Sequence, residues 1–219
     1  MATMPSLSPT GQPDSASAWF GTVPGRALLD SEHALVAHAF SERPGQSWLW
    51  LGPQAQTLAA DGRGLRLASA RGGYLGDVRC ALPFPLASES IGVVVLQHVV
   101  RSGAAGQALL DECARVLVPG GRLWLFGLNP LAPYRWRWRG AGLRASEPLT
   151  WRRRLRGIGL VPAPVSQGIG PSWRVCVSDH VQEGPGLRAA YALSAEKRTL
   201  PLTPLRRRAA MPLQGAPAA

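Results

Sequence analysis

At 219 residues the chain can bury one substantial core rather than two. Apolar residues make up 46%, as in a globular protein, and no apolar run reaches the roughly 18 residues of a membrane span. The net charge is +11 and almost all arginine, with Lys197 the only lysine; this balance suits acidic partners such as nucleic acid or anionic lipid, or it reflects only a composition rich in Ala, Gly, Pro and Arg.

The first 25 residues are polar and rich in Pro, Ser and Gly, and lack the charged start and apolar block of a signal peptide. They read as a disordered lead-in to one domain over 26–199. Residues 27–40, ALLDSEHALVAHAF, carry apolar side chains at helical intervals, and Ser41 and Pro44-Gly45 close that helix. SWLWLG, ending at Gly52-Pro53, is a short buried strand. QAQTLAA suits a short helix, LRLAS (65–69) a second strand, Arg71-Gly72-Gly73 a turn and YLGDVRC (74–80) a third strand. IGVVVLQHVV (91–100) is the strongest strand of all. Its unbroken apolar core implies burial on both faces, as in a parallel sheet between helix layers.

Ser102 is placed to cap a helix over about 104–117, with Leu109, Leu110, Cys113, Val116 and Leu117 on one face. Pro119-Gly120-Gly121 stops it, and RLWLFGL (122–128) follows as a strand that ends at Asn129-Pro130. Strand, helix, strand is a βαβ crossover. Beyond it lie a loop, a basic helix over 146–156, and two further strands within 160–168 and 188–199. The tail 200–219 is Pro-rich, basic and expected to be disordered. The alternation predicts an α/β domain with a doubly wound, mostly parallel sheet.

Cys80, Cys113 and Cys176 show no metal or disulfide spacing and read as small apolar side chains in a reducing, cytoplasmic setting. Residues 133–157 hold eight arginines and one acid, and Tyr134 to Arg139 alternate aromatic with basic. Arginine with stacking aromatics suits an anionic partner such as single-stranded nucleic acid. The other reading packs the tryptophans on the core and leaves the arginines in water.

The ordered set Leu82-Pro83-Phe84, strand 91–97, covering helix and Leu117-Val118-Pro119-Gly120-Gly121 resembles the class I S-adenosylmethionine-dependent methyltransferases of the type-11 group. The Gly127-Leu128-Asn129-Pro130 ending and the stretch RAAYALSAEKRTLPLTPLR are similar to a bacterial branch of small methyltransferases of undefined substrate. The resemblance spans roughly 47–205 and implies a Rossmann-like fold with S-adenosylmethionine across the carboxyl ends of the strands. It also implies cofactor contacts from Gly52, Pro53, Ser69, Asp77, Gln97 and His98, and acceptor contacts from Asn129, Tyr134 and Trp136. It assigns no catalytic residue, no metal and no named acceptor.

The chain departs from that pattern in its loops. The glycine-rich loop that lets backbone amides approach the cofactor is reduced to Gly52. The second strand ends at Ser69 where an acid would bind the ribose, and Gly92 replaces an acid before the valine run. Two readings follow: a methyltransferase of unknown acceptor, or a catalytically inactive module on the same fold that binds an anionic partner through its Arg/Trp segment. The first requires an open slot between strands one and four, and a plug of Pro53, Gln54 or tryptophan would remove it.

Overall fold

The computed structural model describes residues 15–54, 63–70 and 72–198. The expected disorder over 1–14 and 200–219, the short helix after Gln54 and the turn residue Arg71 lie outside them. Residues 15–25, expected in the lead-in, are instead ordered. They form α1 (Ser15–Phe20) and the first turn of α2 (Val23–Ser41). The sequence supplies the reason: Thr22 caps α2 by accepting a hydrogen bond from the Gly25 amide at 3.4 Å, and Pro24 sits in the first turn where its missing N–H costs nothing. Trp19 and Phe20 then bury themselves on the sheet.

The central sheet runs β3 (Gly73–Gly76), β2 (Gly64–Ala70), β1 (Trp48–Gly52), β4 (Ile91–Gln97), β5 (Leu117–Leu128) and β9 (Ala190–Lys197). The four strands β2, β1, β4 and β5 are parallel, and β3 and β9 are antiparallel to their neighbours. The segment expected as one strand over 160–168 splits into β6 (Leu160–Pro162) and β7 (Gln167–Ile169); both pair with β9, and β8 (Gln182–Glu183) adds to β7.

Side chains of a strand alternate between faces, so each central strand supplies two cores. Trp48, Trp50, Val93, Val95, Trp124 and Phe126 pack under α2 and α1. Leu49, Leu51, Val94, Leu96, Leu123 and Leu125 pack under α3 (Ala104–Val116) and α4 (Pro148–Gly157). Burial on both sides is why β1 and β4 read as unbroken apolar runs.

Two local expectations are corrected. Ser102 does not cap α3; the cap position is Gly103, with φ of 90°, and no side chain bonds there. Pro119-Gly120-Gly121 does not lie beyond the strand but inside β5, where the pairing jumps from Ile91↔Leu117 to Val93↔Arg122. Gly120, at φ of 74°, gives the bulge the left-handed residue it needs.

The Leu82-Pro83-Phe84 turn before β4 is clamped from α3. Glu112 accepts from the Phe84 amide at 2.7 Å and from Arg115, which also donates to the carbonyls of Phe84 and Leu86. The Arg115 hydrogen bond, aided by the Phe84 amide, holds the Glu112 carboxyl below the usual range against the opposing effect of burial. A depressed carboxyl contributes stability above its unfolded pKa of about 4.3 and loses it as pH falls through the lower folded value. Melting of Glu112→Gln as a function of pH should therefore show a shallower decline than wild type below about pH 4. Identical acid limbs would show the clamp to be energetically silent.

Candidate functional site at the carboxyl edge of the sheet

Five of the six expected cofactor residues stand at the carboxyl ends of β1, β2 and β4. Gly52 and Pro53 end β1 and are buried. Ser69 is near the end of β2 and borders a shallow opening of about 360 Å³, with Ala70, Gly72, Gly73, Tyr74, Arg101, Ala105 and Gly106. Burial pushes the Tyr74 phenol up to about 12, so it remains a hydrogen-bond donor at neutral pH. Gln97 ends β4 and His98 follows it. Asp77 is elsewhere: it lies opposite Arg66, near the start of β2, and its carboxylate accepts from the Arg66 amide at 2.8 Å. An acid there is at the far end of the strand from the edge.

The expected open slot between β1 and β4 is filled. A side chain at Gly52 would meet the Gln54 carbonyl at 3.2 Å and Gln97 Oε1 and Trp50 Nε1 at 3.7 Å. Gln54 itself donates to the Ser17 carbonyl of α1 at 3.4 Å. Beneath this cover runs a polar chain. Trp50 Nε1 donates to Gln97 Oε1 at 3.2 Å, Gln97 Nε2 donates to Glu32 Oε2 at 2.7 Å, and His98 Nε2 lies 2.8 Å from Glu32 Oε1. The Glu32 and His98 side chains are 0% and 1% exposed.

His98 is held on every side. Its amide donates to the Phe126 carbonyl, and the Phe20 ring stacks on its imidazole at 5.0 Å. Its φ of 56° is left-handed, a conformation that costs a non-glycine residue energy and concentrates at functional positions. With its Nε2 proton on Glu32, Nδ1 carries the lone pair, and that buried atom has no partner among the described residues.

Beside His98 opens a cavity of about 480 Å³ between the ends of β4 and β5, the loop at 142–146 and α4. That volume is in the range of small-molecule sites. Leu125, Phe126, Leu128 and Trp151 are buried and make its floor. The exposed Arg101 and Arg144 stand at its mouth with Ser102 and Ser146.

The three expected acceptor residues do not meet there. Asn129 is 1% exposed; its Nδ2 donates to the carbonyls of Gly186 and Arg188 at 2.9 Å each, and its Oδ1 accepts from the Leu131 amide at 3.0 Å. It is a loop clamp with its hydrogen bonds used. Tyr134 is buried, and its hydroxyl donates to the Pro24 carbonyl at 3.0 Å, fastening α2. Trp136 is 62% exposed, with the Arg139 and Arg135 guanidiniums 4.9 and 5.8 Å from its ring. Trp138 packs inward, edge-on to Trp19.

Sequence reading missed Glu32, Phe20 and Trp50. Glu32 left a signal: it interrupts the apolar stripe of Leu28, Leu29, Leu35 and Val36 on α2, and a carboxylate at such a spacing has to find a buried partner. The described cysteines are free, and no group of His, Cys, Asp and Glu suited to a metal occurs among the described residues.

Comparison with known proteins agrees with this geometry. The methyltransferase-domain family model matches residues 55–125. No curated protein sequence matches the chain. Among solved structures, a SAM-dependent methyltransferase from Thermotoga maritima is 16% identical with a TM-score of 0.59, over 83% of this chain and 94% of that one. The 1,6-didemethyltoxoflavin-N1-methyltransferase of Burkholderia thailandensis, solved with S-adenosylhomocysteine, is 12% identical with a TM-score of 0.50, over 89% and 94%. The [4+2]-cyclase SpnF is 17% identical with a TM-score of 0.51, over 76% and 79%. At these identities the likeness is one of fold. In its matched segment and in its architecture, the chain is a methyltransferase-type domain with the class I, S-adenosylmethionine-dependent methyltransferase fold.

Proposed function

We propose that the chain is an S-adenosylmethionine-dependent methyltransferase whose acceptor occupies the cavity at the ends of β4 and β5. The observation that carries this is the buried Glu32–Gln97–His98 chain at the end of β4, directly beside that cavity. The three free cysteines support a cytoplasmic setting.

The residues suit the cofactor chemically at one end. Glu32, Gln97 Oε1 and the Gln54 carbonyl form an acceptor-rich patch around Gly52, which suits the positively charged methionyl part. At the end of β2, Ser69 offers a hydroxyl in place of the acid for the ribose. When bound, the cofactor supplies a methyl group already activated on a sulfonium. The protein's share is positioning, exclusion of water and, for a protonated acceptor, proton removal. His98, oriented by Glu32, is the base this arrangement supplies, at Nδ1. Phe20 and Gln54 cover the patch, so loading requires α1 and Gln54 to move.

The test is calorimetric titration with S-adenosylmethionine. Wild type should bind, and Phe20→Ala should bind more tightly because the cover is thinned. Gly52→Leu should weaken binding about tenfold or more by overpacking the patch. If neither wild type nor Phe20→Ala binds, the proposal fails.

The filled slot itself favours a second reading, a ligand-binding module that keeps the fold without the cofactor. The cyclase among the structural neighbours illustrates that one fold hosts more than one reaction. Trp136 supports this reading less well than its exposure suggests, because arginines already lie against its ring.

A further inference from the structure

We infer that the cavity beside His98 binds an anionic small molecule, a carboxylate or phosphate ester carried on an apolar body. This names the acceptor class of the proposed transferase and rests on that reading for its role as acceptor.

The lining decides the sign of the charge. Arg101, Arg144 and His98 border the cavity, and no aspartate or glutamate does. Arg101 also borders the smaller opening at the end of β2, which likewise has no acid in its wall. Glu147 is the one acid among the eight arginines of 133–157; it is exposed, at the cap position of α4, and lies outside the lining. Glu32 is spent on Gln97 and His98.

Two helix starts add to the same field. α3 begins just after Arg101 and Ser102, and α4 just after Ser146. Neither has a side chain bonded to its first amides. The positive ends of both dipoles therefore act near the mouth, where the guanidiniums already stand. The second, independent sign of a ligand is His98 itself. Its side chain is 1% exposed, it helps to line the cavity, and its Nδ1 has no partner among the described residues.

The floor decides the rest of the molecule. Leu125, Phe126, Leu128 and Trp151 present apolar carbon, and about 480 Å³ accommodates a body the size of a fused bicyclic ring. A small inorganic anion would leave that floor empty. A cationic ligand would face two guanidiniums with no counter-charge in the wall.

The experiment titrates the full chain, without cofactor and at low salt, with 2-naphthoate, 2-naphthyl phosphate, 2-naphthol and 2-naphthylmethylamine. At least one anion should bind about tenfold or more tightly than naphthol, as a hydrogen-bonded charge contributes, and the amine should bind least. The naphthoate and phosphate arms show which anion the mouth prefers. Arg144→Glu should weaken the anion about tenfold and leave naphthol unchanged. If that variant melts below wild type, Arg101→Glu takes its place with the same expectation. Equal affinity for naphthol and the anions overturns the inference, as does binding of no probe, or an anion affinity that a folded Arg→Glu variant leaves intact. Titration with S-adenosylmethionine is read separately. Cofactor binding without anion preference sinks this inference alone, and anion binding without cofactor binding sinks the transferase alone.

Discussion

Replacing Glu32 by alanine is expected to remove about 3–5 kcal/mol of stability, the largest single effect foreseen for this protein. Glu32 is 0% exposed and receives hydrogen bonds from two other buried side chains, Gln97 at 2.7 Å and His98 at 2.8 Å. Alanine leaves both donors without an acceptor in a region water does not reach. Each such orphan costs about 1–3 kcal/mol, and the vacated volume adds to that. A domain holds only about 5–15 kcal/mol in total, so the variant should unfold near the start of a urea titration. Glu32→Gln separates shape from charge. It keeps the volume but sets one amide NH2 against the donors of Gln97 and His98, so it should fall between alanine and wild type. A loss below about 1 kcal/mol for alanine would mean that Gln97 and His98 find other partners, and the oriented imidazole of the proposed mechanism would go with it.

The second large effect is at Asn129. Leucine is close to its size, but it cannot hold the carbonyls of Gly186 and Arg188 or the Leu131 amide. Three groups would be left unpaired at a position 1% exposed, which should cost about 2–4 kcal/mol. The damage should be local as well as global. Amide exchange should quicken in 185–188, the loop that leads into β9, before it quickens in β4. Uniform exchange with unchanged stability would return Asn129 to the acceptor role implied by resemblance.

The architecture was legible because its strongest signals are local. Val93 to Leu96 form an unbroken apolar run, and only a strand covered on both faces tolerates that. The stretch around Pro119 to Gly121 gave away the return to the sheet, though as a bulge within β5 rather than as a turn before it. The site was legible only as an edge. Gly52, Gln97 and His98 stand where the strand ends place them, but what surrounds them comes from α1 and α2, far away along the chain. No periodicity shows that Phe20 will cross the sheet edge to lie on His98, or that Asn129 will spend its amide on a loop 57 residues further on. Asp77 failed for a simpler reason. The third strand is an antiparallel hairpin return from β2, which carries the acid back to the start of that strand instead of forward to the edge.

β9 has a consequence for how the protein is made. It lies between β5 on one side and β6 and β7 on the other, yet it is built from Ala190 to Lys197, after every other strand has been synthesised. Until those eight residues leave the ribosome, the seven-residue pairing edge from Arg122 to Leu128 has no neighbour and offers its amides and carbonyls to any passing chain. The nascent polypeptide is thus most adhesive just before it is finished, and a message truncated ahead of that strand would yield an aggregating product rather than a smaller domain.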